Sequence, residues 1–202
     1  MYTFKYFSKL QTSKFTKIVK KKELNILDFG CGVGTWSDND LKNPSFKKIT
    51  LYDKNKKLLN FLKKKYKNNK VEINFNKKKI LRNSKKYDLV IFSSVVQYMN
   101  ENEFKKILID FEKKSKRITF LIIDIPKYPG FLEFILLPFF NIKRFFFSVN
   151  LIFNKEYKKT KKYNHNFESY NFLKDKFKIE KIENLYDLRF LRYTLVIKKE
   201  NC

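Results

Sequence analysis

Two acids bracket a run of alternating glycines. Asp28 stands just ahead of Gly30-Cys31-Gly32-Val33-Gly34, and Asp53 follows 19 residues after Gly34. The chain has 4 glycines in 202 residues, so three in this run answer a local need. Where a chain turns sharply, glycine supplies positive φ. A bare backbone also lets a ligand approach and leaves N–H groups to meet its polar atoms. A carboxylate at the tip of the following strand can accept both hydroxyls of a ribose. Together these signals predict a site for a nucleoside-bearing ligand. The run does not follow Gly-x-Gly-x-x-Gly, because Thr35 or Ser37 stands where the third glycine of a dinucleotide fingerprint belongs. No Gly-x-x-x-x-Gly-Lys-Ser/Thr occurs, which excludes a P-loop.

Strands and helices must hold these residues in place, and apolar patterning shows where they fall. Asn25–Phe29 reads as a buried strand running into the glycines, and Lys48–Asp53 as a second strand ending at the acid. Asn55–Lys67 carries Leu58, Leu59, Leu62 and Tyr66 at helical spacing. Val71–Phe75 is a third strand, and Asp88–Phe92 a fourth whose continuous apolar run predicts cover on both faces. Asn100, with Glu103 three residues on, predicts a helix start; Phe104, Ile107, Leu108 and Phe111 supply its apolar face. Ile118–Ile125 is a fifth strand. Tyr170, Leu173 and Phe177 predict a further helix, and Lys178–Ile182 with Tyr193–Lys198 two closing strands too near in sequence for a parallel crossover.

The alternation predicts an α/β fold: a doubly wound, mostly parallel seven-stranded sheet forming one domain over residues 1–202. Residues 1–23 read as an N-terminal helical extension. Residues 126–162 hold three of the four prolines, the fourth glycine and many Phe and Leu residues. That segment is too long for a structureless loop and reads as an inserted element after strand five, either a substrate cover or additional core packing.

The formal net charge is +26, from 46 Lys and Arg against 20 Asp and Glu. Such a surface attracts polyanions. The abundance of Lys, Asn, Phe, Tyr and Ile is equally the mark of an AT-rich genome, and the cations are mostly lysine rather than the arginine favoured for bidentate nucleic-acid contacts. Two cysteines, Cys31 and Cys202, and one histidine, His165, lack metal-ligand spacing, so no metal is expected. The lysine-rich N-terminus lacks the apolar core of a signal peptide, and no uninterrupted apolar stretch reaches the ~18 residues of a membrane span. These features predict a cytoplasmic protein, with the Phe-rich insertion suited to peripheral contact with an anionic membrane.

LDFGCGVG resembles the first motif of the class I S-adenosylmethionine-dependent methyltransferases. The resemblance continues through LYDKN, YDLVIFSSVVQYM, ITFLIIDIP and RYTLVIKK, in the family's order. It implies a Rossmann-like methyltransferase fold with S-adenosyl-L-methionine as cofactor. By that resemblance Gly30, Cys31, Gly32 and Gly34 line the methionine portion and ribose, and Asp53 holds the ribose hydroxyls. Asp28 sits near the cofactor's amino group or anchors the loop's own amides. Lys54 lays its stem on the adenine, Asn76 meets the adenine amine, and Ser93 and Ser94 border cofactor and acceptor.

Methyl transfer to a hydroxyl needs a base, and the candidates are Asp124 at the end of strand five and His165, with Tyr98 behind them. Gln97 is a candidate for orienting a polar group of the acceptor. Ser93-Ser94-Val95-Val96 stands where enzymes methylating DNA amino groups carry Asn-Pro-Pro-Tyr, which argues against a flipped base. IIDIPKYPGF and the apolar, basic segment after it resemble methyltransferases associated with bacterial surface-polysaccharide synthesis. The expected acceptor is therefore a small molecule: a sugar, a sugar nucleotide or a lipid-linked glycan. The alternatives are an RNA-binding methyltransferase, with nucleic acid as the less favoured partner, and a catalytically silent cofactor-binding module.

Overall fold

The computed structural model describes residues 23–34, 46–67, 69–126, 167–183 and 192–199. Seven strands form one sheet: β1 (Leu24–Phe29), β2 (Phe46–Tyr52), β3 (Val71–Asn74), β4 (Leu89–Ser93), β5 (Thr119–Pro126), β6 (Phe177–Glu183) and β7 (Arg192–Lys199). Their spatial order is β3-β2-β1-β4-β5-β7-β6. The first five are parallel, and β7 runs antiparallel to both neighbours, β5 and β6. The closing pair is thus antiparallel, as the short connection requires.

The apolar runs work because strand side chains alternate between faces and both faces are covered. Val90 and Phe92 of β4, with Phe120 and Ile122 of β5, join one core. Leu89 and Ile91, with Leu121 and Ile123, join the other. The first core is completed by α3 (Glu101–Lys114), which inserts Phe104, Ile107, Leu108 and Phe111. Phe104 meets Phe92 edge-to-face at 5.0 Å between ring centroids. The second core receives Leu59 and Leu62 from α1 (Lys56–Lys65).

Local chemistry fixes the helix ends. The side chain of Asn55 accepts from Lys57 N, and that of Asn100 from Glu103 N at 2.7 Å. Glu101 and Glu103 occupy the first turn of α3 and Lys113 and Lys114 its last, each matched to the helix dipole. A short helix the sequence analysis did not anticipate, α2 (Lys77–Arg82), follows β3 and is capped by Asn76. The helix expected from Tyr170, Leu173 and Phe177 is replaced by a 3-10 stretch over Phe167–Leu173. Tyr170 and Leu173 are three apart, the 3-10 repeat, and both are buried. Phe177 instead opens β6 and packs on Phe120 at 5.8 Å.

Going from β1 to β2 the chain moves to one side of the sheet, and β4 lies on the other side of β1. The carboxyl ends of β1 and β4 therefore flank a topological switch point, where open α/β sheets bind ligands. The proposed N-terminal extension and the 126–162 insertion lie outside the described residues, apart from Glu23 and Pro126 themselves.

Candidate functional site

At the end of β1 the chain turns through Gly30, Gly32 and Gly34 at φ of +81°, +55° and +74°. The turn is fastened to β2 by its own amides. Gly30 N and Cys31 N both donate to the Tyr52 carbonyl, at 2.7 and 3.0 Å. Gly32 N donates to Asp53 Oδ2 at 3.0 Å, and Gly34 N to the Cys31 carbonyl at 2.9 Å. This corrects the expectation that the turn's N–H groups point at a ligand. A chain folding back on a neighbouring strand satisfies its buried donors there. The turn thus meets a ligand mainly through glycine Cα surface.

The back of the turn is held by α1 and the residue after it. Tyr66 Oη donates to the Gly34 carbonyl at 2.9 Å, and Lys65 Nζ to the Val33 carbonyl at 3.3 Å. A Cβ on Gly34 would lie 2.8 Å from Tyr66 Oη, so this glycine serves close packing against α1 rather than the cavity.

The face above β1 and β4 opens into a cavity of about 720 Å³. Among the expected site residues, Asp28, Gly30, Cys31, Gly32, Asp53, Lys54, Ser93, Ser94 and Tyr98 line it. Gly34, Asn76 and Gln97 are not in its wall. Asn76 uses its side-chain oxygen to cap α2, accepting from Lys79 N at 3.0 Å. Gln97 donates to the Ser94 carbonyl at 3.2 Å and so braces the loop after β4. That loop is strained: Ser94 has φ of +54°, and its N–H donates to the Ile123 carbonyl. Asp124 follows Ile123 in β5, whose partner in β4 is Ser93. His165 lies outside the described residues.

Several wall residues were not singled out for the site by sequence: Tyr52, Lys77, Val95, Met99 and Glu103. Glu103 read as a helix-start residue, and nothing local signalled that the first turn of α3 would reach the cavity. Lys77 Nζ pairs with Glu103 Oε1 at 2.7 Å, joining α2 to α3. Asp53 completes the β2 tip by accepting from Asn55 N through Oδ1 at 2.8 Å.

Electrostatics follow from this crowding of acids. Burial pushes the Cys31 thiol far up, and the Asp28 and Asp53 carboxylates push it further. The Tyr52 hydroxyl is raised by burial and then by Asp53 and Glu103. Cys31 should therefore stay protonated and inert. With Cys202→Ser in place, an aromatic disulfide reagent at pH 8 should modify Cys31 at least about tenfold more slowly in the folded protein than in denaturant. Equal rates would show the thiol is not shielded.

Among the described residues, no three His, Cys, Asp or Glu side chains gather as a metal site requires, and no helix is long and apolar enough to cross a membrane.

Residues 8–103 match the family described as methyltransferase small domain. Solved structures similar to the chain include magnesium protoporphyrin IX methyltransferase from Synechocystis PCC 6803 with bound SAH. Its TM-score is 0.66 at 17% identity, covering 97% of this chain and 83% of that one. The N-methyltransferase NodS from Bradyrhizobium japonicum WM9, in complex with S-adenosyl-L-homocysteine, has a TM-score of 0.64 at 11% identity, with 98% and 88% covered. The plantazolicin methyltransferase BpumL in complex with SAH has a TM-score of 0.63 at 14% identity, with 98% and 84% covered. No curated protein sequence matches the chain.

Proposed function

We propose that this chain, a class I S-adenosylmethionine-dependent methyltransferase, holds S-adenosylmethionine in the cavity over its glycine turn and methylates a small-molecule acceptor. One observation carries the placement. The Asp53 carboxylate and the bare glycine turn line the same cavity and are joined by the Gly32–Asp53 hydrogen bond.

The residues present suit that cofactor. A Cβ built on Gly32 meets no atom within 4 Å, so the turn leaves open space beside it. Each Asp53 oxygen takes one backbone N–H and retains lone-pair capacity for a sugar hydroxyl. Asp28, Asp53 and Glu103 set three carboxylates in the wall against two lysines, Lys54 and Lys77, of which Lys77 pairs with Glu103. That slight excess of acid, in a protein of net charge +26, suits a ligand carrying positive charge. The cofactor would supply a methyl carbon on a sulfonium sulfur, open to in-line displacement.

The protein's part is positioning and exclusion of water. Asp53 takes the ribose hydroxyls. Gly30, Cys31 and Gly32 flank the sugar and the amino-acid portion, with Asp28 behind them toward the amino group. The Lys54 stem lies along the base. Ser93 and Ser94 border the acceptor, while Val95 and Met99 keep water from that side. Gln97 acts on the acceptor only through the loop it braces. Asp124, at the carboxyl edge of the sheet, is the proposed base for a hydroxyl acceptor, with His165 as the alternative.

For the acceptor, the run Ser93-Ser94-Val95-Val96 argues against a flipped DNA base, and the apolar, basic segment 126–162 favours a sugar, sugar nucleotide or lipid-linked glycan. Incubating the enzyme with methyl-labelled cofactor and cell extract, then separating small solutes, lipid extracts and RNA, tests this. Label in the first two fractions supports it, and label confined to RNA overturns it. The net charge of +26 is what keeps RNA as a second reading. Contact with six to ten phosphates would lower affinity by about 10³–10⁵ between 50 and 200 mM salt. Turnover of a small acceptor should change by less than about threefold over that range, because its recognition releases few counterions.

A further inference from the structure

Positive charge is distributed very unevenly along the described chain. Residues 54–86, running through α1, β3 and α2, hold 14 Lys and Arg against one acid, Glu72. The next 40 residues, 87–126, hold six of each sign and no net charge. Half of the total of +26 thus falls in 33 residues. Drift in genome composition would load α3 as heavily as α1. Yet α3 balances Glu101, Glu103, Asp110 and Glu112 against four lysines, while α1 has five lysines and no acid. Glu72 is itself shared by Lys48 and Lys86, at 3.0 and 3.2 Å.

Two apolar side chains lie within this cationic field. Phe61, on the outward face of α1, is 53% exposed, and Val33, in the glycine turn, is 52% exposed. Lys65 links them: it lies one helical turn after Phe61, and its Nζ donates to the Val33 carbonyl at 3.3 Å. Lys57 and Lys64 stand four before and three after Phe61, on the same face. Val33 and Lys54 also line the cavity, so the cationic face reaches the cavity's rim.

We infer that the outer face of α1, together with Val33, docks on an anionic bilayer and sets the rim of the cavity against it. Lysines close to such a surface each raise partitioning by about fivefold. Phe61 and Val33 supply apolar surface for the headgroup boundary, with the lysines around them left at the level of the phosphates. Nucleic acid fits this face less well. Thirteen of the 14 cations are lysine, a point charge rather than a fork for phosphate or base. Val33 offers no ring on which a base could stack, and the ring of Phe75 is faced by Lys63 Nζ at 4.3 Å from its centroid.

Sedimentation of the full chain with vesicles tests this, using phosphatidylcholine alone or with about 30% phosphatidylglycerol, at about 0.1 M salt. The anionic vesicles should hold at least about tenfold more protein. Lys57→Gln with Lys64→Gln should lower partitioning by about tenfold or more. Phe61→Ser leaves the charge unchanged and should lower it by about threefold to tenfold. Lys113→Gln with Lys116→Gln removes the same charge from the far end of α3 and should change it by less than about twofold. All five side chains are exposed, so the thermal midpoints should stay within a few degrees of wild type. Equal losses in the two double variants would assign binding to net charge alone and overturn the docking face. So would Phe61→Ser partitioning as wild type does, or a wild type with no preference for the anionic vesicles. Retention of an RNA homopolymer in place of vesicles would make the tract a nucleic-acid surface and overturn it as well. The vesicles are titrated without cofactor, so docking and the cofactor reading can fail separately.

Discussion

Replacing Asp53 by alanine should weaken binding of S-adenosyl-L-homocysteine by tenfold to a hundredfold, about 1.4–2.7 kcal/mol. The ribose loses a charge-assisted acceptor, which is stronger than a neutral one. The turn also loses the Oδ2 clip on Gly32 N, and the β2 tip loses the Oδ1 contact with Asn55 N. Asp53→Asn should do nearly as badly. Two backbone donors face two different oxygens, so an amide nitrogen in either place meets an N–H. Titration calorimetry measures the effect, and a thermal scan shows how much comes from loosening the turn. An alanine variant binding within threefold of wild type would remove Asp53 from the sugar and take the cofactor placement with it.

How far this site could be read from sequence depended on how local each signal was. Strands β1, β4 and β5 were legible because a strand covered on both faces must be apolar at every position, and Ile26-Leu27, Leu89–Phe92 and Phe120–Ile123 are. The start of α3 was legible because Asn100 and Glu103 lie within one turn. Asp28, Gly30, Cys31, Gly32 and Asp53 share the cavity as expected, since strand ends in a parallel sheet converge without further information. What was not legible depends on distant packing. Gly34 looked like its two neighbours, yet the constraint on it comes from Tyr66, whose hydroxyl holds its carbonyl. The fate of the turn's amides depends on where the Tyr52 carbonyl falls. Glu103 reaches the cavity from α3, whose place is set by distant packing such as that of Phe104 on Phe92. The six-residue α2 has one buried side chain, Ile80, too little to produce a period.

The strongest discrimination between fold and ligand comes from the two leading glycines, which carry different burdens. A Cβ on Gly30 would lie 2.4 Å from Val95 Cγ2 and 2.9 Å from Val95 Cβ. Rotating the valine side chain does not move its Cβ, so the strained loop after Ser94 must give way. Gly30→Ala should therefore lose about 2–4 kcal/mol of stability, combining overpacking with the cost of positive φ in a residue that has a Cβ. A Cβ on Gly32 meets nothing within 4 Å. Gly32→Ala incurs only the backbone term, about 1–2 kcal/mol, and should lower the melting temperature by several degrees at most. Its added methyl nevertheless enters the open space beside the turn, where the proposed cofactor would lie. Its affinity for S-adenosyl-L-homocysteine should thus fall by about tenfold or more, through loss of fit rather than loss of fold. Thermal unfolding and calorimetry on the pair separate the effects: Gly30→Ala is expected to be the less stable protein, and Gly32→Ala a stable one that binds poorly. If Gly32→Ala binds as well as wild type, no ligand passes over the middle of the turn, and the open space beside Gly32 has some other cause.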